Sequence, residues 1–117
     1  MKKFSSVKKS STFVRAYRFG KSVAADNVVV YVLKRKRYTE KSSELGLTAT
    51  KKYGKAVERS RARRIMREAY RQLCGNVIPG YDIIVVARRR LAQAKTADVF
   101  ADLSYALQKL GLIAKGE

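Results

Sequence analysis

"LGLTATKKYGKAVERSRARRIMREAYR", residues 45–71, holds two periodicities in succession. At its start Leu45, Leu47 and Ala49 fall on one side of an extended chain and Thr48 and Thr50 on the other, the two-residue period of a strand with one buried face. From Gly54 to Leu73 the period changes. At about 100° per residue, Ala62, Ile65, Met66, Ala69 and Leu73 fall within an arc of about 100°, a core-facing helical stripe. Beyond Pro79-Gly80, a strong turn signal, "YDIIVVARRR" (81–90) is apolar on both faces through Ile83, Ile84, Val85 and Val86, as an interior strand must be. Strand, helix and buried strand in that order predict an α+β domain.

The rest of the helix surface is unusual. Arg59, Arg63, Arg67 and Arg71 recur at every fourth position with Ser60 and Arg64 beside them, against only Glu58 and Glu68. Like charges at that spacing disfavour an isolated helix by ~0.2–0.5 kcal/mol per pair. A merely solvated face mixes its signs, and this one does not. Lys51, Lys52 and Lys55 lie just upstream and Arg61 within, so residues 51–71 carry nine basic and two acidic residues, whereas 91–117 carry three of each. The pattern points to a polyanion. Arginine favours phosphate, because its planar fork binds two oxygens at once.

Working outward, residues 1–10 are polar and basic and are expected to form a loose arm. A short helix is predicted from Ser11, as its cap, to Gly20, with Phe13, Ala16 and Tyr17 on one face. A hairpin follows: a strand over 21–25, a turn at Asp26-Asn27, and a longer strand from Val28 to about Arg35. The last helix starts at Thr96/Asp98 and carries Val99, Leu103, Leu107 and Leu110 at helical spacing. The expected order is α-β-β-β-α-β-α, a four-stranded mixed sheet packed with helices, in one domain over 11–113 with a tail at 114–117.

The totals agree. A chain of 117 residues suits one domain and buries roughly two thirds of its unfolded surface. Its 46 % hydrophobic content supports a core, and a net charge of +18 calls for an anionic partner, nucleic acid first and an anionic membrane surface second. The single cysteine, Cys74, cannot close an internal disulfide, which fits a reducing compartment, and it reads as a small buried residue at a helix end. Lys2 and Lys3 are followed by no apolar stretch, and no run reaches the ~20 residues that span a bilayer. A cytoplasmic protein without membrane association or obligate protein partner is expected.

The quoted stretch resembles the signature of the bacterial ribonuclease P protein component: a strand ending in Lys-Lys, then Gly-x-Ala-x-x-Arg-Asn-Arg-x-Lys-Arg-x-x-Arg-Glu on a helix. "GYDIIVVARRRLA" and "FVRAYRFGKSVAADNVVVYVL" are similar to its later strand and to its first helix and hairpin, so the likeness covers about residues 7–113. The motif's Asn is Ser60 here, which keeps a hydroxyl but not the amide's paired donor and acceptor; its Lys is Arg63. The resemblance implies a ribosomal protein S5 domain 2-like fold with a left-handed βαβ crossover, where about 98 % of crossovers are right-handed. It implies that Lys51, Lys52, Lys55, Arg59, Ser60, Arg61, Arg63, Arg64, Arg67 and Arg71 face a catalytic RNA. A cleft lined by Phe13, Tyr17, Tyr31, Arg88 and Arg89 would hold the single-stranded 5′ leader of precursor tRNA. From the residues alone, the three aromatics fit either a core or a platform on which bases stack.

Bond chemistry by the chain itself is not expected. It has no histidine, its nine carboxylates form no tight group in sequence, and Cys74 lacks a histidine partner. "GKAVERS" lacks the spacing of a phosphate-binding Walker loop. The resemblance implies instead that an RNA subunit holds the catalytic Mg²⁺ and that the protein contributes charge and position. A structural RNA-binding protein without a processing role is the alternative, and a self-sufficient nuclease a third possibility.

Overall fold

The apolar run of the buried strand sits in the middle of the sheet, where both faces are covered. The computed structural model describes residues 4–37 and 39–114. Its elements are β1 (Ser5–Ser6), α1 (Ser10–Phe19), β2 (Lys21–Ala24), β3 (Val28–Lys34), β4 (Glu44–Thr48), α2 (Ala56–Arg71), β5 (Tyr81–Ala87) and α3 (Thr96–Lys109). Short 3₁₀ turns occupy Cys74–Asn76 and Arg89–Gln93. The sheet order is β1-β4-β5-β3-β2. β3 pairs antiparallel with β2 and β5, while β4 runs parallel to β5 and β1 parallel to β4. α2 therefore makes the crossover between two adjacent parallel strands.

The sheet is five-stranded, not four-stranded as expected. The extra strand comes from the segment expected to be a loose arm: Ser5 pairs with Glu44 and Ser6 with Leu45. Two exposed serines carry no apolar alternation, so nothing local announces a strand; Phe4, packed edge-to-face on Tyr70 with centroids 5.1 Å apart, anchors it. Residues 1–3 of that arm, residue 38 of the polar connection and 115–117 of the expected tail lie outside the described residues.

Alternation along the strands sorts the side chains onto two faces. Val28, Val30, Val32, Leu45, Ile83 and Val85 join Ala62, Ile65, Met66 and Ala69 of α2 and Val99, Leu103 and Leu107 of α3 in the main core. Gly46, Tyr31 and Ile84 turn to the other face, where α1 lies. The fold is thus three layers: α2 and α3, the sheet, and α1. Asp102 of α3 fastens the hairpin turn, accepting from the backbone N–H and the amide side chain of Asn27, both at 2.8 Å.

Two helix ends depart from expectation. Ser11 does not cap α1; Lys9 holds that position without a side-chain cap hydrogen bond. Gly20 does end α1, but in extended conformation with φ −78°, so its role is space and not a left-handed turn. A Cβ there would lie 2.5 Å from Ala16 O and 2.6 Å from Val32 O, where the chain squeezes between helix and strand. Gly80 follows Pro79 with φ 92°, the positive value that a Pro-Gly turn requires.

Candidate nucleic-acid interface

α2 separates its surface as its wheel predicts. Ala62, Ile65, Met66, Ala69 and Tyr70 are buried, as is Leu73 just beyond, so the arginine row is forced away from the core. Glu58 Oε1 accepts from the Lys55 backbone N–H at 2.7 Å, closing the helix start and placing one negative charge at the positive end of the dipole. The only other acid on the helix, Glu68, takes up Arg71 at 2.8 Å. Arg59 donates to the Gly54 carbonyl at 3.0 Å and Arg63 to the Ser60 hydroxyl at 3.3 Å. Lys51, Lys52, Arg64 and Arg67 are exposed, and among the described residues their side chains make no ion pair or hydrogen bond. Four of the ten expected contacts are thus uncompensated cations on one loop-and-helix surface, with Lys55 exposed between them.

Arg61 does not belong to that row. Two positions from Arg63 is about 200° around a helix, and Arg61 reaches the opposite flank. There it donates to Ala92 O at 3.3 Å and Ala94 O at 3.1 Å. Burial raises the pKa of the Tyr53 phenol, and the positive charge of Arg61 offsets part of that rise.

On the α1 side, Tyr17 and Tyr31 meet, and Phe13, one helical turn before Tyr17, lies beside Gly46 and Ile84. The Tyr17 and Tyr31 rings meet edge-to-face, centroids 5.0 Å apart at 79°, and Tyr17 Oη bonds Thr48 Oγ1 at 3.4 Å. In an edge-to-face pair the ring that offers its edge keeps both faces free of its partner, as a stacking platform needs. Tyr17 is 41 % exposed and Phe13 and Tyr31 are partly buried, so the trio is neither sealed in a core nor loose on the surface. Arg88 stands apart from them: it donates to Ala25 O at 2.7 Å and lines a cavity with Asp26, Asp102 and Tyr105. Arg89 is exposed at the end of β5.

The two expected surfaces adjoin. A small cavity beside β4 is lined by Phe13, Leu45, Gly46 and Leu47 together with Arg63 and Arg67, so the arginine row reaches Phe13. Sequence reasoning missed Gly46, whose missing side chain leaves room for Phe13, although a glycine inside a strand is a known sign of close approach. It also missed a basic cluster at the start of α1, where Lys8, Lys9, Arg15, Arg35, Lys36 and Arg37 surround one cavity; the Lys-Arg-Lys-Arg run at 34–37 was its signal. Arg35 is partly neutralised by Asp82 at 3.2 Å.

The family model for Ribonuclease P matches residues 1–111. The chain belongs to the ribonuclease P protein family. It is 35 % identical over 116 residues to a ribonuclease P protein component of Geobacillus kaustophilus, covering 99 % of this chain and 94 % of that one. The counterpart of Clostridioides difficile is 40 % identical over 94 residues, 80 % of each chain. The fold is similar to the solved RNase P protein of Staphylococcus aureus, with a TM-score of 0.81 at 31 % identity over 95 % of this chain and 99 % of the other. Its fold therefore resembles that of solved ribonuclease P proteins, with the arginine row on the helix that crosses between the parallel strands.

Proposed function

We propose that the chain is the protein subunit of ribonuclease P, which removes the 5′ leader of precursor tRNA. The exposed lysines and arginines of the 51–55 loop and α2 bind phosphates of the catalytic RNA. Phe13, Tyr17 and Tyr31 take the unpaired leader, each stacked base contributing ~1–3 kcal/mol, with the exposed Arg89 further along its path, while Arg88 is held by the hairpin turn. The crossover is left-handed in this reading, as the likeness implies. The protein acts by position and charge: bound cations offset RNA–RNA repulsion, so less Mg²⁺ is needed, and the RNA holds the catalytic Mg²⁺. Hydrolysis is assigned to the RNA because the chain has no histidine, and among the described residues no three acids or cysteines are grouped to hold an ion. Among those residues, too, no helix is long and apolar enough to cross a membrane.

The observation that carries this reading is the cavity that Phe13 shares with Arg63 and Arg67 of the arginine row, within a chain of this family. One surface can thereby touch catalytic RNA and substrate together. The test is cleavage of a precursor tRNA by bacterial ribonuclease P RNA at low Mg²⁺, with and without the protein. Cleavage that needs both supports the subunit role; intact RNA binding without stimulation favours a structural RNA-binding protein.

A further inference from the structure

The Arg89–Gln93 turn that follows β5 carries two exposed arginines, Arg89 and Arg90, on a very short support. Only Leu91 of that turn is buried. Its front is tied to the hairpin, since Arg88 donates through its side chain to Ala25 O at 2.7 Å and through its N–H to Asn27 O at 2.9 Å. Its back is tied to α2, among the side-chain hydrogen bonds of the described residues, by Arg61 alone, through the Ala92 and Ala94 carbonyls. A guanidinium is suited to such a tie, because its fixed fork reaches two carbonyls at once, where an ammonium is a single point.

We infer that Arg61 is a positioning residue, which fixes the Arg89–Gln93 turn on α2 and so sets where Arg89 and Arg90 stand relative to the arginine row. It neutralises no phosphate itself. An arginine inside the signature thus couples the surface for the catalytic RNA to the end of β5, where substrate is expected. The functional half of this inference rests on the proposed function; the clamp does not.

A phosphate contact and a clamp leave different traces. Each phosphate neutralised contributes ~0.7–0.9 to the slope of log affinity against log salt. With the full chain and bacterial ribonuclease P RNA, Arg61→Ala should leave that slope unchanged, whereas Arg64→Ala should lower it. Amide exchange at Leu91 and Ala94, whose N–H groups bond Arg88 O and Leu91 O at 3.0 Å, should accelerate in Arg61→Ala. The preference of the holoenzyme for a long-leader over a short-leader precursor tRNA should fall several-fold. Arg61→Lys keeps charge and stem and should show the same faster exchange and weaker preference, which serves if the alanine variant does not fold. A lowered salt slope, or amide exchange no faster than in the wild type, overturns the inference. A wild type indifferent to leader length counts against the proposed function instead, with slope and exchange still deciding the clamp.

Discussion

Phe13 and Gly46 share one space: a Cβ on Gly46 would stand 2.7 Å from Phe13 Cζ and equally close to Ile84 Cδ1. Both neighbours are side chains, so an alanine here displaces a ring and does not break the backbone. Gly46→Ala should cost about 1–3 kcal/mol of stability by overpacking and should weaken leader binding, because Phe13 must leave its place. Urea denaturation and affinity for a long-leader precursor measure the two effects; an unchanged leader affinity would remove Phe13 from the platform.

The two surfaces predict separate losses. Arg64→Ala and Arg67→Ala should weaken assembly with the catalytic RNA and leave the fold intact, since both side chains are exposed. Tyr31→Ala should instead remove leader-dependent affinity, by about 1–3 kcal/mol if one base stacks there. Binding titrations with the RNA alone and with precursors of two leader lengths distinguish these; exchanged phenotypes would reverse the assignment of surfaces.

Asp82 is a nearly buried carboxylate that faces Arg35, itself bonded to the carbonyls of Ser42 and Tyr81. Asp82→Asn keeps the shape and loses the charge, which leaves the guanidinium without its principal counter-ion. A destabilisation of about 1–3 kcal/mol is expected, read as a lower urea midpoint at constant m-value. No change would mean that solvent already screens the pair.

Tyr70 predicts a pH effect. Burial pushes its phenol well above the ordinary tyrosine range. Below about pH 10 the phenol keeps its proton in both folded and unfolded chains and contributes no slope. Above that the unfolded chain ionises first, so this group should lower stability by about 1.4 kcal/mol per pH unit. The stability difference between wild type and Tyr70→Phe should therefore be constant from about pH 7 to 10 and move against the wild type beyond. A difference that stays constant to about pH 11 would show the phenol to be accessible to hydroxide.

Much of this architecture is legible in short-range pattern. The stripe Ala62, Ile65, Met66, Ala69 and Leu73 is buried as its spacing requires, and the apolar run in β5 is central as its two-faced character requires. What escaped depends on partners far away in the chain. Ser5 and Ser6 become a strand only because β4 presents an edge to them. Arg61 looks like its neighbours in composition, and only its angle on the wheel separates it; the carbonyls it meets are thirty-one and thirty-three residues on. Arg88 likewise reads as one of three equal arginines, until the hairpin turn claims it.

The sheet order has a consequence for synthesis. β5, the last strand to be made, lies between β4 and β3, so until it emerges from the ribosome the two sides of the sheet lack the strand that hydrogen-bonds to both. α2 precedes it, and in the nascent chain that helix has only a fragment of its core to pack on. Topologies dominated by such distant pairings fold slowly. A chain this basic, briefly unfolded on a particle made largely of RNA, would meet a dense field of phosphates before it has the shape on which the proposed recognition depends.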